Sequence, residues 1–352
     1  MHKYDVVKNY ILSKIKSEEY LPDQRLPKDD EISELLGVST ITVRKAMGEL
    51  VNENIIYRVR GRGSFVKGKP SIRNSSSQNL VTFLLSTNDA NDSSYIRIII
   101  GIRRYLSQVG YSLIVENPGE DPARERQAID KYLDSGVAGY IIYPSNPELS
   151  VENFRYLKDK NIPFVTMDRY AKYFPTNTVV CNNHDGAFSA VEHLISLGHK
   201  KIGFISEKFY LSSEKERFEG YTDALHYASL EVDDELLFLE PKVDYDRLIK
   251  AVKTRKITAL FCVNDRRGLE VINAFTERGI RIPQDVSIMG FDDYEASKLS
   301  PVPLSTVKQH FEEVGYWAAK MLLKTIENPN LQFSKMMIGC QLVIRKSTAP
   351  LV

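Results

Sequence analysis

Two patterns of apolar spacing divide the chain. Up to about residue 66, apolar residues recur at helical spacing; Val7, Tyr10, Ile11 and Ile15, for example, share one face of a helix over 4–17. From residue 80 onward, short continuous apolar runs alternate with amphipathic stretches. The first pattern predicts a small, mainly helical N-terminal domain. The second predicts strands separated by helices.

Seven apolar runs in the second region predict buried parallel strands, because strands covered on both faces are apolar throughout. They are LVTFLLS (80–86), YSLIVEN (111–117), GYIIYP (139–144), IPFVTMD (162–168), KIGFIS (201–206), ITALFCVND (257–265) and VSIMGFDD (286–293). Intervening helical stretches end at Gly110 and Gly198. This alternation predicts an α/β fold with doubly wound parallel sheets in two lobes.

The N-terminal region predicts a helix-turn-helix. DDEISELLG (29–37) forms a second helix that stops at Gly37, and Ser39 is a natural N-cap for a third helix. The predicted buried stripe of that helix consists of Val43, Met47, Leu50 and Val51. Its outward-facing side chains are Thr40, Thr42, Arg44 and Lys45. Weak helix formers suit this first turn, since their side chains and free N–H groups can face phosphates and base edges.

A basic hairpin follows the third helix. The run IIYRVRGRGSFV (55–66) alternates apolar and basic residues around Gly61 and Gly63, and its tip carries Arg60 and Arg62. Either feature alone, a polar helix surface or a glycine pair, is common on solvated surfaces. The order helix, helix, polar-tipped helix and basic hairpin is typical of a winged helix-turn-helix that binds duplex DNA.

Composition and charge restrict where binding can occur. The chain has 352 residues, 43% hydrophobic and 26% charged, with a net charge of +1, so attraction to nucleic acid must be local. Cys181, Cys262 and Cys340 stand singly in apolar runs, which favours buried thiols in strands.

With no signal peptide or membrane-length apolar run recognised, we expect a cytoplasmic protein without membrane contact. The polar run at 69–79 predicts a linker between domains at 1–68 and 80–352.

Polar residues follow three predicted strands, where α/β proteins bind ligands. Asp168, Asn264 and Asp292 occupy these positions, and Arg217 begins a helical stretch. Hydroxyl pairs match carboxylates, amides and the guanidinium fork, and Tyr95 adds an aromatic face, so the set suits a neutral polyol. We interpret Asp265 and Asp293 instead as helix N-caps.

An enzyme is the rival interpretation. Asp168 and Asp292 could imitate a glycosidase pair, but the sequence has no nucleophile elbow, HExxH, P-loop or strand-linked GxGxxG motif. His193 and His199 are six residues apart and do not share a helix face, which argues against a metal pair. We therefore assign no catalytic residue, metal or cofactor.

Residues 1–68 resemble the GntR-type winged helix-turn-helix, through LPDQRLPKDDEISELLGVSTITVRKAMGELVNENIIYRVRGRGSFV. The resemblance implies DNA contacts from Ser39, Thr40, Ile41, Arg44, Gly61, Arg62 and Gly63. Arg25, Thr42, Lys45 and Arg60 complete the set of DNA-binding candidates. The chain departs from the family at Asp30, where Arg or Asn is frequent, and at Thr40, where a basic residue is frequent.

Residues 80–348 resemble the effector domain of the LacI/GalR family, which is similar to periplasmic sugar-binding proteins. The motifs are EHLISLGHKKIGFIS, ERFEGYTDAL, ALFCVNDRRGLEVINAFTERGIRIPQDVSIMGFDDYEASKLSPVPLSTV and QLVIRKST. The family implies two lobes joined by three crossovers, an effector in the cleft and dimerisation through the lobes. It places Asp168, Arg217, Asn264 and Asp292 on effector-contact positions, and Tyr95 on the cleft wall.

A GntR-type head on a LacI-type sensor resembles the arabinose-repressor group. The resemblance implies a homodimeric repressor that binds a palindromic operator in double-stranded DNA and is released by a small sugar, with L-arabinose as the first expectation. The alternatives are a regulator of the same architecture that senses a purine, a nucleoside or another non-sugar ligand, and a carbohydrate-active enzyme.

Overall fold

The computed structural model describes residues 3–17, 19–21, 24–53, 55–59, 63–66, 79–88, 94–207, 211–330 and 332–351. The chain divides into two compact units, Met1–Ser76 and Ser77–Val352, which we call the head and the effector unit. Most of the predicted linker lies outside the described residues. Its last residue, Asn79, belongs to the effector unit, because its side-chain amide donates to the Gly110 carbonyl at 3.0 Å.

Among its described residues, the head contains three helices and a pair of antiparallel strands, in the predicted order. These elements are α1 (Lys3–Lys16), α2 (Asp29–Leu36), α3 (Thr40–Asn52), β1 (Ile56–Val59) and β2 (Gly63–Val66). β1 and β2 pair antiparallel, with Val59 opposite Gly63. The apolar stripes of α1 and α3 meet in a core that includes Val7, Ile11, Val43, Met47 and Leu50. The predicted stripe residue Val51 is only half-buried at the rim of this core.

The segment before α2 extends the hairpin. The Leu26 amide donates to the Ser64 carbonyl at 2.8 Å, and the Val66 amide donates to the Gln24 carbonyl at 3.0 Å. Arg25 forms an antiparallel bridge with Phe65 between these two bonds. Residues 24–26 therefore act as a third strand, which fixes the hairpin to the start of α2.

The first lobe of the effector unit is built on a six-stranded sheet whose pairings are all parallel. Its strands in chain order are β3 (Leu80–Leu85), β4 (Ser112–Glu116), β5 (Gly139–Tyr143), β6 (Phe164–Met167), β7 (Thr178–Cys181) and β13 (Lys335–Ile338). Its helices are α4 (Ser94–Gln108), α5 (Pro122–Asp134), α6 (Val151–Asp159) and α12 (Phe311–Glu327). The spatial order is β13-β7-β6-β5-β3-β4.

The second lobe is built on a four-stranded parallel sheet with the order β11-β10-β8-β9. Its strands are β8 (Ile202–Ile205), β9 (Leu237–Phe238), β10 (Ala259–Cys262) and β11 (Ser287–Met289). Its helices are α7 (Asn183–Ser196), α8 (Ser212–Tyr227), α9 (Tyr245–Lys253), α10 (Asp265–Glu277) and α11 (Glu295–Leu299). The prediction of doubly wound parallel sheets in two lobes is confirmed.

The chain passes between the lobes three times, as the family resemblance implied. It leaves the first lobe after β7, returns into α12, and leaves again after β13. β12 (Thr306–Lys308) and β14 (Gln341–Val343), on the second and third passages, pair antiparallel. Residues at these passages are therefore held in register with one another.

Two sequence interpretations of this region are wrong in part. β4 is parallel but is not a buried strand, because it lies at the edge of its sheet and exposes Ser112 and Val115. Cys181 and Cys262 are buried thiols in strands. Cys340, by contrast, is half-buried and lies in the connection between β13 and β14.

In the part of the chain that the structure describes, no helix combines the length and apolarity needed to cross a membrane.

Candidate DNA-binding and effector sites

The N-terminal end of α3 is capped by a polar side chain and is open to solvent. Ser39 adopts an extended conformation, and its Oγ accepts a hydrogen bond from the Thr42 amide at 3.2 Å. The Ser39 and Thr42 hydroxyls lie 2.8 Å apart. Ile41, in the first turn, is 79% exposed although it is apolar. The cap offsets the weak helix propensity of this turn and leaves its side chains available to a ligand.

A groove of about 390 Å³ lies beside this helix end, between the start of α2 and the hairpin. Arg25, Lys28, Arg44 and Arg58 all line it. One acid, Asp29, connects two of these cations: its Oδ2 is 3.5 Å from Arg44 Nε and 3.8 Å from Arg58 Nη2. Asp29 and Arg58 were not among the DNA-binding candidates, and only the tertiary structure brings them to Arg44.

Gly63 has a conformational and a steric reason to be glycine. Its φ is 112°, and a Cβ at this position would meet Arg25 Nε at 3.0 Å. Lys45 points elsewhere, with its ammonium 4.7 Å from the centroid of the Tyr4 ring. Arg60, Gly61 and Arg62 lie outside the described residues, so their assignment to the wing remains a prediction.

Three of the predicted effector residues lie together between the lobes. Asp168 follows β6, Arg217 lies on α8, and Asp292 follows β11; their exposed fractions are 7%, 5% and 5%. Arg217 Nη2 is 3.2 Å from Asp292 Oδ1, and Arg217 Nη1 donates to the Val263 carbonyl at 2.8 Å. The guanidinium carbon also lies 3.9 Å from the centroid of the Phe291 ring.

Electrostatics keep this arginine charged. Burial acts to lower the pKa of Arg217, but Asp292 and Asp168 outweigh it, and the pKa is raised above its ordinary value. Asp168 in turn lies 3.3 Å from Nε of the neighbouring Arg169. The carboxylates and guanidiniums thus largely neutralise one another, an arrangement that suits an uncharged ligand with several hydroxyls.

Tyr95 lies on the first-lobe wall near this cluster. Its hydroxyl is 3.0 Å from the Thr87 hydroxyl, and its ring meets the Tyr143 ring edge-on with the centroids 5.6 Å apart. The Arg169 guanidinium carbon lies 4.9 Å from the Tyr143 centroid. Tyr95 and Asp168 therefore border the same aromatic and basic wall.

The residues after β10 have different roles from those expected. Asn264 caps α10, its Oδ1 accepting from the Arg267 amide at 2.9 Å, so it combines a cap with a position at the strand end. Asp265 is not the N-cap. It is buried, and its carboxylate accepts hydrogen bonds from the Tyr294 amide and the hydroxyls of Ser297 and Thr306. Asp293 is not an N-cap either, because it is ion-paired with Arg345.

Sequence reasoning missed Arg169 and Glu214. Burial raises the pKa of Glu214, while the nearby charges of Arg169 and Arg217 partly oppose this shift. Glu214 precedes Arg217 by three residues on α8, so the two share a helix face. That spacing was readable in ERFEGYTDAL and the residues before it. The position of Arg169 depends on contacts within the first lobe, where its Nη1 donates to the Pro144 and Ser145 carbonyls.

The head presents a capped, exposed helix end beside a basic groove, and the effector unit holds a buried polar cluster between two parallel-sheet lobes. These two features define the class of protein: a DNA-binding regulator with a ligand-sensing unit. Residues 3–66 match the bacterial regulatory proteins of the gntR family, and residues 191–348 match the periplasmic binding protein-like domain.

The relatives agree with that class. The arabinose metabolism transcriptional repressor of Geobacillus stearothermophilus is 28% identical, over 98% of this chain and 97% of its own length. The HTH-type transcriptional repressor PurR of Actinobacillus pleuropneumoniae is 28% identical, over 90% of this chain and 97% of its own. The solved structure of the transcriptional regulator CelR with cellobiose is 22% identical and shares the fold, with a TM-score of 0.67 over 92% of this chain and 100% of its own. These relatives are transcriptional regulators and not enzymes.

Proposed function

We propose that the protein is a homodimeric transcriptional repressor that binds a palindromic operator in the cytoplasm and is released by a monosaccharide. The observation that carries the proposal is the presence of two dissimilar candidate sites in one chain. One is a solvent-facing helix end beside Arg25, Arg44 and Arg58. The other is a buried cluster built from Asp168, Arg217 and Asp292.

The DNA-binding half of the proposal rests on the accessibility of the head. In this arrangement the first turn of α3 enters the major groove, where Ser39, Thr40, Ile41 and Thr42 meet base edges and Arg44 meets a phosphate or guanine. The wing and Arg25 contact the flanking backbone. A dimer would read two half-sites about one helical turn apart.

An exposed apolar strip on the effector unit supports dimerisation. Ile96 and Ile100 are one turn apart on α4 and are 62% and 49% exposed, and Val115 on the adjacent edge strand β4 is 43% exposed. Monomeric proteins seldom leave such a strip beside an unpaired strand edge. A self-complementary contact across a twofold axis would cover both features.

The sugar-binding half rests on the cluster chemistry and on the relatives. In this proposal Asp292 and Asp168 accept hydrogen bonds from the sugar hydroxyls, Arg217 donates to them, and Tyr95 offers an aromatic face. The relatives include an arabinose metabolism repressor and a regulator solved with cellobiose. We therefore place L-arabinose first among the candidate effectors, and other monosaccharides next.

The test uses the full chain in two stages. Duplexes bound by the purified protein are selected from a random library, and the operator so defined is titrated by fluorescence anisotropy with a panel of pentoses, hexoses, purines and nucleosides. We expect a palindromic site and release by one sugar. Release by a purine or nucleoside would establish the other effector class. Selection of no sequence would reject the repressor, and turnover of a sugar would restore the enzyme interpretation.

A further inference from the structure

Glu216 is the neighbour of Arg217 on α8, and both of its carboxylate oxygens are engaged. Oε1 accepts a hydrogen bond from the Tyr170 hydroxyl at 2.8 Å and from the Lys335 ammonium at 2.7 Å. Oε2 accepts from the Asn183 side-chain amide at 3.1 Å. Tyr170 and Lys335 belong to the first lobe, whereas Glu216 belongs to the second. The carboxylate therefore joins the lobes.

Asn183 connects this carboxylate to Arg217. Its Oδ1 accepts a hydrogen bond from Arg217 Nε at 3.0 Å, and its Nδ2 also donates to the Cys181 carbonyl at 3.1 Å. Asn183 is the first residue of α7, at the first passage between the lobes. The resulting relay runs from Tyr170 and Lys335 through Glu216 and Asn183 to the guanidinium.

The direction of every hydrogen bond in the relay is fixed. A guanidinium can only donate, so Asn183 must present Oδ1 to Arg217. Its Nδ2 then needs acceptors, and Glu216 supplies one because a carboxylate only accepts. A residue of the same shape but opposite polarity at either position would place donor against donor or acceptor against acceptor. In a buried site such a mismatch is costly.

The first-lobe end of the relay is tightly held. Lys335 stacks over the Tyr170 ring, with its ammonium 3.9 Å from the centroid. The Tyr170 amide also donates to the Ser212 hydroxyl, in the first turn of α8, at 3.0 Å. Asp168, a predicted effector contact, precedes Tyr170 by two residues. When the lobes are closed, the hydrogen bonds between them therefore lie next to Asp168 in the first lobe and next to Arg217 in the second.

We propose that Glu216 and Asn183 are positioning residues that orient Arg217 for the effector and make that orientation depend on lobe closure. The inference rests on the proposed effector site at Arg217. Opening the lobes removes Tyr170 and Lys335 from Glu216, which loosens Asn183 and then the guanidinium. An effector that binds the oriented guanidinium consequently favours the closed lobes.

A polarity swap tests this mechanism. In Glu216→Gln the side-chain oxygen stays with Tyr170 and Lys335, so the new NH2 group faces the NH2 group of Asn183. In Asn183→Asp the new carboxylate faces the carboxylate of Glu216. In the double variant, the new carboxylate at position 183 accepts from Arg217 and from the new amide at position 216, and the Cys181 carbonyl loses the donor that Asn183 Nδ2 gave it. The amide oxygen at position 216 still accepts from Tyr170 and Lys335. The double variant also has the charge of the wild type. Glu219→Gln, one turn along the same helix face and solvent-exposed, is the matched control.

The primary measurement needs no effector. Spin labels at Leu149→Cys in the first lobe and Tyr227→Cys in the second, in a full-length Cys340→Ser background, report the distance between lobes. We expect each single variant to populate longer distances, the double variant to return most of the way toward the wild-type distribution, and Glu219→Gln to match the wild type. Unchanged distances in the single variants, or a double variant no better than either single variant, would overturn the proposal.

The second measurement is the affinity for L-arabinose by calorimetry. We expect about tenfold weaker binding in each single variant and recovery to within about threefold in the double variant. If the wild type binds no L-arabinose while the distances follow the swap, the relay stands and the effector assignment is rejected. If L-arabinose binds all variants equally, the positioning role is rejected and the effector assignment stands.

Discussion

The two candidate sites hold their charged groups in opposite ways. In the head, the Arg44 side chain is 67% exposed, and its described ion pair, with Asp29, is long at 3.5 Å. Between the lobes, Arg217 is 5% exposed and contacts Asp292, Asn183, the Val263 carbonyl and the Phe291 ring. The head presents loosely held cations, whereas the effector unit surrounds its cation with fixed partners.

The ligands that we propose for the two sites would explain this difference. Duplex DNA is a large polyanion that supplies its own counter-charges, so exposed arginines gain their partners on binding. A small neutral ligand supplies no charge, so the protein must satisfy every buried ion before the ligand arrives. We therefore expect changes in the effector unit to have large, local consequences and changes in the head to have smaller, salt-dependent ones.

The largest effect is expected from Arg217→Ala. It leaves Asp168 and Asp292 buried without their common cation, which costs about 3–5 kcal/mol when one partner of a buried pair is removed. Operator release should need at least about a hundredfold more effector, from the loss of a contact worth roughly 3 kcal/mol. Anisotropy titration of the operator complex measures this.

Arg281→Ala is the control, because Arg281 forms an exposed pair with Asp285 in the same lobe. Operator affinity without effector should stay within about threefold of the wild type for both variants, since neither substitution alters a residue of the head. Release of Arg217→Ala at the wild-type effector concentration would remove Arg217 from the site.

The next effect concerns Arg44→Ala, which should weaken operator binding by about tenfold to a hundredfold, as expected for loss of one base or phosphate contact. Lys8→Met is its control: Lys8 pairs with Glu53, at the C-terminal end of α3. The logarithm of the affinity falls linearly with the logarithm of the salt concentration. If this slope is shallower by about one in Arg44→Ala than in the wild type, Arg44 contacts a phosphate. Wild-type affinity would contradict the assigned orientation of α3.

A third prediction uses the buried carboxylate of Asp265. Burial raises its pKa to about 6, although hydrogen bonds from Ser297, Thr306 and Tyr294 act to lower it. The pKa of an unfolded Asp is about 3.9. The folded state therefore binds more protons between about pH 4 and 6, and the contribution of Asp265 to stability declines as the pH rises through that window.

The stability difference between the wild type and Asp265→Asn should accordingly shrink from about pH 4.5 to 6 and level off above about pH 7. Thermal unfolding of the full chain, followed through the effector-unit transition, measures it. Asp285→Asn should show a flat difference over this range, because Arg281 lowers the pKa of Asp285. A flat difference for Asp265→Asn as well would mean that this carboxylate stays ionised.

Local signals made much of the fold predictable. The Ser39 cap, the Gly37 stop and the apolar strand runs act within a few residues, so α3 and the parallel strands were readable from the sequence. The wrong N-cap assigned to Asp265 shows the limit of local reading. Asn264 and Asp265 are adjacent polar residues at the start of α10, and the sequence does not show which of them is the cap. The other role of Asp265, as acceptor of hydrogen bonds from Ser297 and Thr306, depends on residues distant in sequence.

The edge position of β4 and the partners of the effector residues depend on topology. No feature of YSLIVEN reveals that a strand lacks a neighbour on one side. The hydrogen bonds of the relay through Glu216 join residues from both lobes and from a passage between them. The ion pairs of Asp29 likewise form only where α2, α3 and β1 meet. Sequence identified the residue types that carry the chemistry, but not how they pair.

The smallest effect, and the sharpest test of the head's loose arrangement, is expected from Asp29→Asn. Asp29 lies within 4 Å of both Arg44 and Arg58, so we expect it to compete with DNA phosphates for them. Exposed pairs of this kind contribute at most about 1 kcal/mol, so affinity for any duplex should rise about two- to fivefold. The gain should shrink as the salt concentration approaches about 1 M, because the screening length then falls to about 3 Å, comparable with these separations.

Asp30→Asn separates ion pairing from net charge, because it removes the same charge from the same turn of α2. If Asp29 competes for the arginines, its substitution should tighten binding more than that of Asp30. Equal gains would assign the effect to net charge alone. Weaker binding by Asp29→Asn would reverse the interpretation, since Asp29 would then orient Arg44 and Arg58 toward DNA, and the head would be preorganised in the same manner as the effector unit.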